Sequence, residues 1–145
     1  MTLAVPTAGA FEGREHRLPV RVYYEDTDFT GLVYHASYVR FFERGRSDYL
    51  RLAGADHVAM AALQTAFAVL SLNVTFKAAA RIDDALIVHT SFDAVKGARI
   101  LIGQKITRDG ELLATAEVQA ACIDPAGRAR RPPAELVAVL RPRLG

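Results

Sequence analysis

The 145-residue chain has a single cysteine, Cys122, so an internal disulfide bond is excluded. The position of Cys122 in an apolar, strand-like run indicates a buried, unreactive thiol, and the lack of disulfides favours a reducing cytoplasm. An excess of one charge is also missing. The 18 basic and 16 acidic residues leave a net charge of +2, which is too small for a nucleic-acid-binding surface. The sequence contains no internal repeat, so repeat architectures are excluded as well.

Export and membrane-spanning segments are not indicated by the sequence. The stretch MTLAVPTAGAF at residues 1–11 lacks a basic n-region and contains Pro6, which argues against a signal peptide. Residues 57–76 carry no formal charge, but apolar and polar positions alternate strictly from Leu70 onwards. We therefore interpret that stretch as a helix, a turn and a strand.

The length of the chain allows one domain, because a second hydrophobic core would need more residues. Residues 1–17 show no period and are expected to form an N-terminal segment ahead of a domain at residues 18–145. Hydrophobic residues make up 51% of the chain and charged residues 23%. This composition excludes disorder and predicts a homo-oligomer, either a dimer or a tetramer, because the charges are too few to cover the surface.

One long helix is predicted by apolar positions that recur at steps of three and four from Tyr38 to Leu52. Gly54 provides a residue that can end this helix in the left-handed conformation. Gly45 lies in its middle, where glycine costs about 1 kcal/mol relative to alanine. We therefore expect Gly45 to allow a close approach between the helix and a sheet.

Strands are predicted for most of the remaining chain. Turn signals at Lys96-Gly97 and Asp109-Gly110 separate the last three apolar runs, and AELVAVL at residues 134–140 suggests a short terminal helix. Because no helix alternates with these runs, the pattern predicts an α+β fold, with an antiparallel sheet of about five strands wrapped around the long helix. The predicted strands are Leu18–Tyr24, Leu70–Lys77, Leu86–Phe92, Arg99–Thr107 and Leu112–Ile123.

Polar residues are densest between the first predicted strand and the long helix, where loops often carry function. Asp26 and Asp28 either accept hydrogen bonds within this loop or act on a ligand. Asp28 is the stronger candidate, because Gly31 permits close backbone approach and the helix beginning near His35 directs free N–H groups to the same place. Such an arrangement suits acyl transfer. The polar residues are Glu25, Asp26, Asp28, Thr30, Tyr34 and His35.

The segment VRVYYEDTDFTGLVYHASYVRFFERGRSDYLR, at residues 20–51, resembles the signature of hot-dog fold thioesterases of the 4-hydroxybenzoyl-CoA thioesterase type. It is most similar to the Tol–Pal-associated acyl-CoA thioesterases, and residues 80–88 and 121–125 resemble later parts of that family. The resemblance implies a hot-dog fold and hydrolysis of thioesters of CoA or of acyl carrier protein, without a metal or other cofactor. It also implies a cytoplasmic protein, with the inner membrane surface as a second location.

Carried over to this sequence, the resemblance implies that Asp28 is the catalytic carboxylate and that the backbone N–H of His35 polarises the thioester carbonyl. The His35 side chain either lies near the thioester or only packs at the helix start. A thiolate leaving group has a pKa of about 8.5, so it departs with little help from an acid. Asp28 would then act as a nucleophile or as the base that activates water.

Further contacts with substrate are expected from four residues. Gly31 and Tyr34 belong to the loop beside Asp28, whereas Lys96 and Arg99 flank a hairpin turn and are candidate ligands of CoA phosphates. The same two basic side chains could equally be solvated surface groups. Phe29 stands where the family often has a smaller residue, which affects the expected acyl preference. A metal site is not expected, because His16, His57 and His89 lack partners at metal-ligand spacing.

Two alternative functions fit parts of the sequence. The DTDFTG segment resembles the nucleophile loop of haloacid-dehalogenase-like phosphatases, with Asp83 and Asp84 as a later acidic pair. That chemistry needs Mg²⁺ and a parallel sheet, which the consecutive strands disfavour. The second alternative is a protein of the same hot-dog fold that binds acyl chains or acyl carrier protein without hydrolysis. The presence of Asp28 and Gly31 argues against it.

Overall fold

The computed structural model describes residue 6 and residues 9–145, and it consists of a seven-stranded sheet wrapped around one long helix. Each neighbouring pair of strands is antiparallel, so the predicted α+β architecture is confirmed. The strands are β1 (Ala10–Glu12), β2 (Glu15–Arg21), β3 (Ala66–Phe76), β4 (Ala85–Lys96), β5 (Arg99–Arg108), β6 (Glu111–Ile123) and β7 (Ala129–Arg130). The helices are α1 (His35–Ala53), α2 (His57–Ala62) and α3 (Ala134–Leu140), with 3-10 turns at Tyr24–Asp26 and Arg141–Arg143.

The five predicted strands all form, and two short strands join them that the sequence did not predict. β1 and β7 have three and two residues, which is too short for an alternating pattern to be visible. The strand expected at Leu18–Tyr24 lies earlier, at Glu15–Arg21, because its pairing with β4 begins at His16. The signal-peptide argument concerned residues 1–11, of which residues 1–5, 7 and 8 lie outside the described residues.

The order of the strands is β1-β2-β4-β5-β6-β3, with β7 beside β6. β3 therefore ends the sheet, and it is an 11-residue strand that exposes Val69, Leu70 and Phe76. Both predicted turn signals are confirmed. The β4–β5 turn has Gly97 at a φ of 62°, and the β5–β6 turn has Asp109 at 50° and Gly110 at 82°.

α1 packs one face against the concave side of the sheet. Phe41, Phe42 and Tyr49 are fully buried on this face, and each such side chain contributes about 1.5–3 kcal/mol of hydrophobic free energy. A Cβ on Gly45 would lie 2.7 Å from Thr90 Oγ1 and 2.8 Å from the Val88 side chain. The predicted close approach at Gly45 is thus confirmed. The predicted stop is also present, because Gly54 caps α1 with a φ of 91°.

The single thiol of the chain lies near the end of β6. Cys122 is completely buried in β6, and burial raises the pKa of its thiol. The predicted unreactive cysteine agrees with this position. Among the described residues, no helix is both long and apolar enough to cross a membrane.

Candidate active site

A tight turn presents Asp28 between β2 and α1. Thr27 and Val33 form an antiparallel bridge, and the Asp28 N–H donates to the Leu32 carbonyl at 3.0 Å. The Gly31 N–H closes the turn by donating to the Asp28 carbonyl at 3.1 Å. Gly31 has a φ of 82°, a conformation that side chains disfavour, and no described atom lies within 4 Å of where its Cβ would be. The glycine is therefore required by the turn, and it leaves open space beside it.

The carboxylate of Asp28 is partly exposed and is held at one oxygen. Asp28 Oδ1 accepts a hydrogen bond from the Thr30 hydroxyl at 2.5 Å and another from the Thr30 N–H at 2.8 Å. The hydroxyl bond, followed by the backbone bond, lowers the pKa of Asp28 from its ordinary value. Asp28 is consequently an anion at neutral pH, with Oδ2 outside these two bonds.

Asp26, unlike Asp28, is buried within the loop. Its side chain is buried, and Oδ2 accepts the Tyr23 N–H at 2.8 Å. Its backbone carbonyl accepts the Tyr34 N–H at 2.9 Å. The Asp26 carboxylate thus stabilises the 3-10 turn, while the carbonyl joins that turn to the residue before α1. Of the two alternatives for Asp26, the structure shows the one in which its carboxylate accepts a hydrogen bond within the loop.

The first turn of α1 begins beside this loop. Tyr34 is the N-cap residue, has extended backbone, and provides no side-chain hydrogen bond to the helix. The leading N–H groups of a helix lack partners within the helix and carry the positive end of its dipole. The imidazole of His35 is exposed, and its ring centre lies 4.4 Å from that of Tyr34. The bridge between Thr27 and Val33 holds the Asp28 turn against the start of α1. One end of α1 therefore carries Asp28, Gly31, Tyr34 and His35.

Exposed aromatic residues occur in the Asp28 turn and on both sides of it in the chain. Phe29, at the tip of the turn, is fully exposed, with 102% of its reference surface accessible. Tyr23, Tyr24 and Tyr34 are exposed as well. Exposed apolar rings are common on surfaces that contact a ligand or another chain. From sequence, Phe29 differed from the family only in its size, because exposure cannot be inferred for a loop without a period.

A cavity of about 450 Å³ lies at the other half of α1, between α1, α2 and the start of β3. A volume of this size is typical of pockets for small ligands. Its walls are mainly apolar. It could not be predicted from sequence, because its residues come from six elements and the loop after α1. The apolar lining residues are Leu50, Ala55, Val58, Met60, Ala66, Phe67, Val69, Phe92, Ile102 and Ala120.

A buried polar network forms part of the cavity wall. The guanidinium of Arg46 donates to Glu43 at 2.5 Å and to Gln104 at 2.9 Å. The Gln104 amide donates in turn to the Phe42 carbonyl at 2.8 Å and to the Thr90 hydroxyl at 2.9 Å. Arg46 therefore has charged and neutral partners although it is buried. Glu43 remains exposed at the rim of the cavity.

Lys96 and Arg99 lie far from Asp28 within one chain. The Asp28 end of β4 is at Ala85, because the neighbouring Asp84 carbonyl accepts the Val22 N–H. Lys96 ends the same strand, about 36 Å further along at the usual rise of a strand. Arg99 pairs with Lys96 across the hairpin. The structure thus brings together four of the six predicted site residues and places these two at the cavity end of the sheet.

The phosphatase alternative is wrong, because its parallel sheet is absent from the described part of the chain. Asp84, which it would need as a metal ligand, forms an ion pair with Arg108 at 2.7 Å. The Asp84 carboxylate also accepts the Arg81 N–H at 2.9 Å, so its role is to hold the loop before β4. Within residues 9–145, no three histidine, cysteine or acidic side chains group closely enough to bind a metal ion.

Comparison with known proteins gives a consistent result. The model of the thioesterase-like superfamily matches residues 22–140. The chain is 48% identical over 107 residues to the acyl-CoA thioesterase YbgC of Haemophilus influenzae, a match that covers 73% of this chain and 79% of that protein. It is 44% identical over 110 residues to the acyl-CoA thioester hydrolase YbgC of an Escherichia coli strain, covering 75% and 82%.

Solved structures agree in fold. The crystal structure of a probable thioesterase from Bartonella henselae superposes with a TM-score of 0.79 at 39% identity, covering 82% of this chain and 99% of that one. The resemblance inferred from residues 20–51 to hot-dog thioesterases is therefore confirmed.

Proposed function

This chain belongs to the thioesterase-like superfamily, and from that premise we propose that it hydrolyses acyl-CoA thioesters through the carboxylate of Asp28. The observation that carries the proposal is the position of that carboxylate. It is anionic, partly exposed, and presented by a turn that is bridged to the residue preceding α1. Relatives named as acyl-CoA thioesterases support the choice of substrate class.

The reaction needs little beyond a carboxylate and a donor for the carbonyl oxygen. The His35 N–H, at the uncapped start of α1, would stabilise the negative oxygen that develops when the thioester carbonyl is attacked. In the nucleophilic route, Asp28 forms a mixed anhydride and expels the CoA thiolate, and water then releases the acid. In the general-base route, Asp28 takes a proton from water as that water attacks. Each route consumes one water and yields an acid and a thiol.

The acyl group is proposed to occupy the apolar cavity of a second subunit. Among the residues of α1 that line the cavity, Glu43 is the nearest to His35 within one chain. It lies eight residues, or about 12 Å, along the helix. The Tyr38 ring lies 5.3 Å from the Phe76 ring, so the start of α1 adjoins the end of β3. Antiparallel pairing of two β3 edges would set the beginning of the partner's β3, and its cavity, beside Asp28.

The same pairing would bring the candidate phosphate contacts to the site. Lys96 and Arg99 lie at the cavity end of the sheet, as does Arg130, which donates to the Leu63 carbonyl at 3.0 Å. The guanidinium groups of Arg99 and Arg130 can bind phosphates in a bidentate manner, and the Lys96 ammonium can bind them as a point charge, so these side chains suit the phosphates of CoA. Gly31 and Tyr34 would contact the thioester itself. Acyl carrier protein is the second candidate carrier of the acyl group.

A panel of thioesters tests the proposal directly. Acyl-CoA substrates of increasing chain length, aromatic acyl-CoA and acyl carrier protein thioesters are each incubated with the protein, and the released thiol is measured. Asp28→Ala should reduce kcat by about 10²–10⁴-fold. Glu25→Ala removes an exposed carboxylate from the same segment and should retain activity. A folded Asp28→Ala protein with normal kcat would disprove the role of Asp28.

A further inference from the structure

The hydroxyl of Thr30 links Asp28 to the backbone of its own turn. Thr30 Oγ1 lies 2.5 Å from Asp28 Oδ1 and 3.3 Å from the Leu32 nitrogen. The shorter distance is typical of a hydroxyl bonded to a charged carboxylate. Thr30 therefore contacts the proposed reacting group through its side chain as well as through its N–H, which also donates to Oδ1.

The direction of these bonds follows from the number of protons available. A hydroxyl has one proton, and the ionised carboxylate of Asp28 has none to donate. The Leu32 N–H can only donate, so it occupies a lone pair of Thr30 Oγ1. The hydroxyl proton is consequently left for Asp28 Oδ1. A directed chain runs from the Leu32 N–H through the Thr30 hydroxyl to one oxygen of Asp28.

We propose that Thr30 is a positioning residue, whose hydroxyl fixes the Asp28 carboxylate so that Oδ2 is the oxygen presented to the thioester or to water. This inference rests on the proposed function of Asp28. The terminal torsion of an aspartate side chain is broad, so a carboxylate held only by the backbone N–H would sample more orientations. With two donors on Oδ1, the free oxygen keeps one direction relative to the start of α1.

Loss of the hydroxyl has two consequences that a merely structural role would not produce together. The carboxylate would be oriented less well, which lowers kcat more than it changes KM. The charged form would also lose a donor, which raises the pKa of Asp28 and moves the acid limb of kcat/KM toward higher pH. Serine keeps the hydroxyl and should restore both properties.

The experiment compares Thr30→Val, Thr30→Ala and Thr30→Ser over a range from about pH 3 to about pH 8, which extends below the ordinary pKa of an aspartate so that the acid limb is included. Thiol release is followed with dithiodipyridine, which reacts at acidic pH. Thr30→Val and Thr30→Ala should lose about tenfold in kcat, with the acid limb moved to higher pH, and Thr30→Ser should resemble the wild type. Thr27→Val is the matched control, because the Thr27 hydroxyl donates to the Tyr24 carbonyl at 2.7 Å instead.

A titration of the Asp28 carboxyl carbon by NMR provides a readout that needs no substrate. Thr30→Val should titrate at higher pH than the wild type and than Thr27→Val. Wild-type kcat and an unmoved acid limb in both the Val and Ala variants would overturn the proposal. A lower melting temperature without any change in titration would do the same, since it would make the hydroxyl a structural group only. An active Asp28→Ala protein would instead refute the proposed function.

Discussion

Asp26 and Asp28 lie two positions apart in the chain, yet their carboxylates meet different surroundings. The Asp26 carboxylate is buried and accepts a backbone N–H, whereas Asp28 is the first residue of a tight turn. The sequence favoured Asp28 over Asp26 because Gly31 follows it, and Gly31 does adopt a positive φ in this turn. The catalytic role of Asp28 stays a prediction. The sequence did not predict the contact between Asp28 and Thr30, since a side-chain rotamer within a loop leaves no periodic trace.

The start of α1 allows the roles of a backbone and a side-chain donor to be separated. Gly31→Val would force a β-branched residue to a φ of 82° and displace the loop from the helix start. A displaced oxyanion donor costs about 10²–10³ in kcat. His35→Ala keeps the backbone N–H and loses only what the imidazole supplies. We therefore expect Gly31→Val to be the more damaging change when kcat is measured on one thioester.

Thermal melts are the control for this pair, because a misfolded Gly31→Val protein would also be inactive. A His35→Ala enzyme as inactive as Asp28→Ala would show that the imidazole itself takes part in the reaction. Normal kcat in a folded Gly31→Val protein would mean that the carbonyl oxygen is bound elsewhere.

α1 illustrates which elements can be predicted from sequence. Its apolar spacing and its final Gly54 are local signals, and Gly45 indicates sheet contact because glycine is otherwise unfavourable in a helix. Its link to the β1–β2 hairpin is not local. His16 Nε2 bonds to Asp48 Oδ2 at 2.8 Å across 32 residues, and the same oxygen accepts the Gly9 N–H at 2.8 Å. Such a pair cannot be inferred from spacing along the chain.

The His16–Asp48 pair should make the fold sensitive to mild acid. Burial lowers the pKa of His16, against the opposing effect of Asp48. Its buried Nδ1 has no partner among the described residues, so protonation would leave an N–H without an acceptor. In the unfolded chain His16 has the ordinary pKa of 6.5, so it binds that proton more readily. The contribution of His16 to the free energy of unfolding is therefore complete above about pH 6.5. It falls at lower pH by at most about 1.4 kcal/mol per pH unit.

The free energy of unfolding in urea is measured at about pH 7.5 and about pH 5.5, which lie on either side of the ordinary histidine pKa. His16→Asn should lower the stability at both values but reduce the difference between them. His57→Asn, which removes an exposed histidine from α2, should keep the wild-type difference. An undiminished difference in His16→Asn would assign the acid sensitivity to other groups.

At the scale of the whole molecule, the sheet formed by residues 9–145 has one long free edge. β3 pairs with β6 on one side only, and its exposed Val69, Leu70 and Phe76 are apolar. A free edge of 11 residues that exposes three large apolar side chains is a template for another strand. The composition predicted an oligomer for the related reason that charged residues are few, but it could not indicate which surface is used. That information requires the strand order, which depends on pairing between distant segments.

We expect a homodimer joined through β3 in light scattering at micromolar concentration. Leu70→Lys places a charge on the edge, where Leu70 is 53% exposed, and should shift the mass toward the monomer. Thioesterase activity should fall with it, because the proposed site needs the partner's cavity. Ile87→Lys is the control, since Ile87 is 38% exposed on β4, away from that edge. A monomeric wild type with full activity would contradict both expectations.

The buried Cys122 makes the chain its own reporter of unfolding. β6 is paired with β3, β5 and β7, so the thiol becomes accessible only when this part of the sheet opens. Burial also raises its pKa, which keeps the reactive thiolate scarce in the native protein. A thiol reagent will therefore count only released CoA while the protein stays folded. Under denaturing conditions, the labelling rate of the same atom gives the free energy of opening the sheet without an engineered probe.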